Sequence, residues 1–218
     1  MTQDLRLQLK DLGCSKGGRP LFSGVNLSLN AGQWLHLKGP NGSGKTSLLR
    51  LIAGLTEPDQ GQIEWREKNI SSSRAEYAEQ RLYFGHYNGL QESSTVLENL
   101  QYLCALHGCA VSVAQIHAVL VQLGLRATAN KMVRYLSQGQ KRRVAMARLW
   151  LSQASLWVLD EPFVALDYAS IGQLIEKMQS VNNGYCLNKF ENNGSIIPQD
   201  NFGVNNAGRI LNLINNTN

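Results

Sequence analysis

The segment Gly39-Pro40-Asn41-Gly42-Ser43-Gly44-Lys45-Thr46 fits G-x-x-x-x-G-K-[ST], a spacing suited to holding phosphate. Glycines at these intervals let the backbone wrap until several N–H groups converge on phosphate oxygens. Lys45 is expected to reach the β- and γ-phosphates, and Thr46 to offer its hydroxyl to Mg²⁺. A glycine-rich turn with an incidental Lys-Thr would show the same letters, so the flanks decide. QWLHLKG before the loop reads as a strand, and SLLRLIAGL after it has apolar residues at helical spacing. A helix starting there adds its partial positive charge to the anion site.

Two further segments carry chemistry. In Leu156-Trp157-Val158-Leu159-Asp160-Glu161 four apolar residues predict a buried strand that delivers two carboxylates at its end. Asp160 is expected to hold Mg²⁺ through water, and Glu161 to orient and polarise an attacking water. Taken alone, these six residues read equally as a strand ending in solvated acids; beside a phosphate loop the chemical reading gains. Leu136-Ser137-Gln138-Gly139-Gln140 opens a third helix, where Ser137 and the Gly139 N–H can donate to phosphate at a positive helix end.

The rest of the chain must position these groups. LRLQL, GVNLSLNAG, GQIEW and RLYFGH read as strands. TVLENLQYLCALHG and VSVAQIHAVLVQLGL read as helices, and Gly54 is the expected stop of the helix after the phosphate loop. The pattern predicts an α/β domain over residues 1–180 with a helical lobe at about 88–150. Residues 181–218 hold 12 asparagines, one Lys and one Arg, with little periodicity apart from RILNLI. A core strand belongs there, so the segment is read as missing its strands: a divergent, Asn-rich end, disordered or altered in frame.

Composition excludes other classes. No run approaches the roughly 18 apolar residues of a membrane span, and the charged, alternating start MTQDLRLQLKD is unlike a secretion signal. Cys14, Cys104, Cys109 and Cys186 lack C-x-x-C or His spacing, so they read as ordinary reduced thiols rather than zinc ligands or disulfides. The net charge of +5 is concentrated in Lys131, Arg134, Lys141, Arg142, Arg143 and Arg148. That cluster reads as a solvated helix face with attraction for phosphate rather than a nucleic-acid surface.

Together the three motifs resemble the ATP-binding-cassette (ABC) ATPase family. LSQGQ stands where that family carries LSGGQ, and Pro162-Phe163-Val164-Ala165-Leu166-Asp167 matches its D-loop, with Asp167 as the D-loop acid. Within the family, LFSGVNLSLNAGQW, LRLIAGL, YFGH, QKRRVAMARLWL and SLWVLDEPFVALD are similar to the ATP-binding subunits of cytochrome c maturation systems, also described as haem exporters. The resemblance implies a P-loop α/β nucleotide-binding domain with an antiparallel β subdomain and a helical subdomain, using ATP and Mg²⁺. It implies a second copy of the chain in an ATP sandwich and a membrane-embedded CcmB-like partner. It places the chain at the cytoplasmic face of the inner membrane, with haem involved only through the partners.

Three positions depart from the family pattern. No aromatic residue in GCSKGGRPLF stands clearly as the adenine platform, and Phe22 reads as core. The Q-loop glutamine falls at Tyr87, beside His86, which reads as structural. The switch histidine is absent: His36, His86, His107 and His117 all precede the D-loop. A lost transition-state contact of this sort costs roughly 3 kcal/mol, about a hundredfold in rate. A hydrolysis-impaired vestigial subunit and a soluble ABC-type ATPase acting on ribosomes or DNA therefore remain alternative readings.

Overall fold

Alternating apolar residues build two long strands, β1 (Leu5–Lys16) and β2 (Arg19–Asn30), that pair antiparallel. A computed structural model describes residues 5–30, 33–180, 185–189 and 208–212. Beyond β1 lie β4 (Gln60–Trp65) and the two-residue β5 (Lys68–Asn69), which complete a four-stranded sheet in the order β2-β1-β4-β5. A second sheet has the order β6-β7-β8-β3-β9. Its strands are β3 (Trp34–Lys38), β6 (Arg81–Phe84), β7 (Leu156–Asp160), β8 (Tyr185–Lys189) and β9 (Gly208–Asn212). The pairs β7–β8, β8–β3 and β3–β9 are parallel. All five residues of β7 are buried, as a strand covered on both faces requires.

The helix after the phosphate loop is α1 (Lys45–Ile52). It stops where expected: Gly54 takes φ +63°, its N–H bonds the Leu51 carbonyl at 2.8 Å, and the Leu55 N–H bonds the Arg50 carbonyl at 2.9 Å. That is the glycine-terminated Schellman closure. Leu48, Leu49, Leu51 and Ile52 of α1 join Leu7, Leu9 and Ile63 of the first sheet and Leu35, Leu37, Leu156 and Val158 of the second in one core. The short α2 (Arg74–Gln80), which the sequence reading did not anticipate, adds Tyr77, whose hydroxyl donates to the Ile52 carbonyl.

The chain divides into two compact units. The first takes Met1–Tyr83, Ala154–Pro162 and Val181–Asn218; the second takes Phe84–Gln153 and Phe163–Ser180. The second unit is helical: α3 (Val96–Ala105), α4 (Val113–Gln122), α5 (Gln138–Leu151) and α6 (Tyr168–Ser180). Thr95, Ser112 and Ser137 each close a capping box at the start of α3, α4 and α5. Asp167 Oδ1 accepts the Ser170 N–H at 2.8 Å and so caps α6, a helix the sequence reading also missed.

The reading of residues 181–218 as lacking strands is corrected. β8 is inserted between β7 and β3, pairing Val158 with Leu187 and Leu35 with Leu187, and β9 lies on the other side of β3. Overall composition misled here, because ladder hydrogen bonds come from the backbone and need only short runs able to extend. YCLNK and GRILN supply such runs amid the asparagines. Residues 181–184, 190–207 and 213–218 lie outside the described part, as does the side chain of Cys186.

One glycine in this framework is obligatory for the fold. Gly61 in β4 has φ +79°, and a Cβ there would collide with the carbonyl oxygens of Lys10 and Asp11 across the irregularity in the β1–β4 pairing. Gly61→Ala is expected to destabilise the chain by about 2–4 kcal/mol, combining left-handed strain with overpacking. A lowered urea midpoint would show it, and an unchanged midpoint would mean the bulge relaxes freely.

Candidate nucleotide site

In the first unit, β3 runs directly into the loop Gly39–Gly44, and α1 begins at Lys45. Gly42 and Gly44 hold φ values of +84° and +93°, the left-handed region that turns successive N–H groups inward. A Cβ on Gly44 would meet Phe22 Cδ1 at 2.8 Å and Leu21 Cβ at 3.1 Å, so glycine is required by the neighbouring strand as well. Phe22 packs against this loop and against the core, as expected.

Lys45 is buried, and its ammonium donates to the Gly39 carbonyl and, at 2.8 Å, to the Pro40 carbonyl. Those two carbonyls are neutral dipoles, whereas a phosphate would offer the ammonium a charged partner. Ser43 is likewise buried, and its Oγ has no hydrogen-bond partner among the described residues. An orphaned hydroxyl inside a loop of inward N–H groups fits a bound phosphate oxygen, which would supply the missing bond. Thr46 Oγ1 donates to Asp160 Oδ1 at 3.4 Å, although the two residues are far apart in sequence. Asp160 is only 3% exposed, at the end of β7. A hydroxyl and a buried carboxylate form an all-oxygen donor set suited to Mg²⁺. Tyr83 on neighbouring β6 feels the same site: burial, then the Asp160 charge, pushes its phenol up to about 12, with Arg50 opposing. Glu161 follows with φ +51°, a left-handed backbone that is strained for a residue with a side chain.

The second unit holds the other predicted residues. Ser137 caps α5: its Oγ accepts the Gln140 N–H at 3.2 Å and its N–H donates to Gln140 Oε1 at 3.0 Å. Gln140 is thereby a capping residue, and the Ser137 hydroxyl proton is left to donate outward. Gln138 is the first residue of α5, so its side chain sits on right-handed helical backbone and costs nothing locally. A Cβ at Gly139 would meet only the Ala165 carbonyl, at an ordinary 3.6 Å. Nothing among the described residues demands glycine there. Leu136 is buried and anchors the segment from below. Hydrogen bonds from Ser170 hold the Asp167 carboxyl below its usual range, with Arg143 adding to the effect.

The reading of the basic cluster as a solvated face is corrected in part: Lys131 and Arg134 are exposed, but Arg142 and its neighbours make internal ties. Arg142 is 4% exposed, lies 4.1 Å over the Phe84 ring, and donates to the Gly85 carbonyl at 3.0 Å and Asn88 Oδ1 at 3.2 Å. Lys141 pairs with Glu92 at 2.6 Å, and Arg143 reaches the Leu123 carbonyl at 3.4 Å. Burial pushes the Arg148 guanidinium below its ordinary range. Periodicity alone could not reveal this, since arginine packs its stem and fork as readily as it faces water. Buried Asn99 bonds both the N–H and the carbonyl of Gln91, at 2.7 and 3.0 Å. The segment Gly85–Gln91 is therefore pinned at both ends, while Tyr87 stands 90% exposed. His86 is also exposed, edge-on to Tyr87 at 5.7 Å.

Cys14, Cys104 and Cys109 are free thiols, and the described residues contain no cluster of metal-ligating side chains. No helix among them is long and apolar enough to cross a membrane.

This strand–loop–helix with its companion acids coincides with a family match: the model described as "ABC transporter" fits residues 22–164. The chain belongs to the ABC transporter family. Within it, the chain is 49% identical over 170 residues to the cytochrome c biogenesis ATP-binding export protein CcmA of Albidiferax ferrireducens, covering 78% of this chain and 81% of that protein. It is 42% identical over 172 residues to the CcmA of Escherichia coli K12, covering 79% and 81%. Among solved structures, an ATP-binding subunit of an ABC transporter superposes with a TM-score of 0.75 at 26% identity, covering 84% of this chain and 79% of that one. A putative ABC transporter ATP-binding protein from Pyrococcus furiosus shares the fold, with a TM-score of 0.78 at 23% identity, covering 95% and 97%. ABC ATPases of this fold bind and hydrolyse ATP.

Proposed function

We propose that this chain is the ATP-binding, energy-coupling subunit of a CcmA-type complex in cytochrome c biogenesis, working against a CcmB-like membrane subunit. The observation that carries the reading is the approach of Thr46 to Asp160 beside the buried Lys45, a phosphate and Mg²⁺ site assembled from distant parts of the sequence. Lys45 and the N–H groups of the Gly39–Gly44 loop bind the phosphates, replacing the loop carbonyls as partners of the ammonium. Thr46 and Asp160 hold Mg²⁺, which when bound neutralises charge on the phosphates. Glu161 accepts the proton of the attacking water. Ser137 and the Gly139 N–H of one copy donate to the γ-phosphate held by a second copy, so that each nucleotide is shared between two chains. ATP binds the closed pair better than the open one, and that difference in affinity drives closure.

The membrane subunit docks on the helical unit. Tyr87 stands exposed on the pinned Gly85–Gln91 segment, and Tyr102 and Leu106 stand out one turn apart on and just past α3. Apolar side chains held outward on a fixed segment are the anchors an interface uses. The chain then lies peripherally at the cytoplasmic face of the inner membrane, and haem, where it is handled, belongs to the partners. With no histidine after Asp167 in the sequence, hydrolysis runs well below that of a subunit carrying the switch residue. Fractionation tests the whole reading: the chain is expected in the membrane fraction when co-expressed with its membrane subunit, and released by a mild alkaline wash. Recovery with ribosomes or DNA instead would overturn it.

A further inference from the structure

Purine recognition is not accounted for by the phosphate loop, which grips only phosphates. Phe22, the aromatic residue of the strand packed on that loop, is spent against Gly44 and the core. The signature end of the helical unit offers a different aromatic. A 3-10 turn, Val133–Tyr135, immediately precedes the cap Ser137. Val133 and Leu136 are buried and fix the turn, while Tyr135 is 70% exposed. The Arg134 guanidinium lies 4.9 Å over one face of the Tyr135 ring, and the same side chain reaches Met132 Sδ at 3.1 Å. The turn is also held by the Tyr135 N–H on the Met132 carbonyl and the Arg134 N–H on the Glu92 carbonyl, both at 3.1 Å. Tyr135 is thus a ring of fixed backbone, backed by a cation and open to solvent on its other side.

We infer that Tyr135 is the stacking platform for the adenine of ATP held by a second copy of this chain, a role that rests on the shared-nucleotide reading above. Only Leu136 stands between it and Ser137, so the two Cα atoms lie within about 7 Å of each other. If Ser137 meets the γ-phosphate of the partner's nucleotide, an exposed ring on the same short segment is within reach of the rest of that nucleotide. A flat ring with a guanidinium behind it suits a purine base, since base–aromatic stacking and the cation reinforce one another. Recognition of the base is then completed only when the two copies close. Affinity for ATP is coupled by this means to dimerisation itself.

The test measures nucleotide-driven dimerisation of the full chain by light scattering after size exclusion, in a Glu161→Gln background. Tyr135→Ala is expected to raise the ATP concentration for half-dimerisation by about tenfold, within the range of one lost base stack, and Tyr135→Trp to restore it. With ribose 5-triphosphate, which has no base, Tyr135→Ala and the parent are expected to dimerise at the same concentration. Equal ATP dependence of parent and Tyr135→Ala would overturn the proposal while leaving the shared-nucleotide reading in place. Equal impairment with ATP and with the base-free triphosphate would also overturn it, assigning Tyr135 to the fold. No dimer at any ATP concentration in the Glu161→Gln parent would overturn the shared-nucleotide reading and this proposal with it.

Discussion

Glu161→Gln is expected to lower steady-state ATP turnover by about 10²-fold and to leave the affinity for ATP within about threefold, the scale for loss of a positioned general base. The substitution keeps the volume and the hydrogen-bonding span of the side chain, and removes only its ability to take a proton. The backbone matters to this argument. Glu161 sits at φ +51°, a conformation that costs on the order of 1–3 kcal/mol for a side-chain-bearing residue. Glutamine inherits the same cost, so folding stability is expected to change little and the comparison isolates chemistry. Groups that act on one transition state are not additive in their effects, so a drop larger than about 10²-fold is not required. Turnover by coupled phosphate release and affinity by equilibrium nucleotide binding, on one preparation, give the two numbers. Unchanged turnover would remove Glu161 from the proposed mechanism and direct attention to another acceptor near Asp160.

The parts of this site legible in the sequence are those whose local pattern and chemistry coincide. Around Lys45, alternation demanded a strand, glycines a loop and apolar spacing a helix; β3, the Gly39–Gly44 turn and α1 follow in that order. LWVLD is apolar enough that no surface position suits it, and all of it is buried. Ser137 and Gln140 were legible as a helix start for the same reason, a capping box being a local hydrogen-bond exchange.

What escaped the sequence was decided by contacts between distant segments. Arg142 carries the same letters as a solvated arginine; only the arrival of Phe84, Gly85 and Asn88 makes it internal. The start of α6 was hidden because Asp167 was read wholly as a D-loop acid, although an Asp three residues before Ser170 is also a cap. Strands β8 and β9 escaped because the asparagines around them lowered the apolar content of the segment as a whole. Pairing with β3 and β7 supplies what that composition lacks. Tyr135 is a fourth case: its exposure depends on Val133 and Leu136 taking the buried positions on either side.

Lys45→Ala is expected to weaken ATP binding by about 10²–10³-fold, the range for truncating one partner of a buried, charged hydrogen-bonded pair. Lys45 is buried and its ammonium donates to the Gly39 and Pro40 carbonyls, neutral dipoles that a phosphate would outcompete as partners of a cation. Removing it takes away attraction for the nucleotide and also leaves those two carbonyls turned inward, where they repel phosphate oxygens. Lys45→Met separates the contributions: it restores the buried stem but neither the charge nor the donors, and so is expected to recover folding stability without recovering affinity. Equilibrium binding of a fluorescent ATP analogue, with thermal unfolding measured alongside, reads both. An affinity within threefold of the parent in Lys45→Met would mean that the loop N–H groups and the α1 dipole hold the phosphates alone. The strand–loop–helix would then be a weaker anion site than its residue pattern implies.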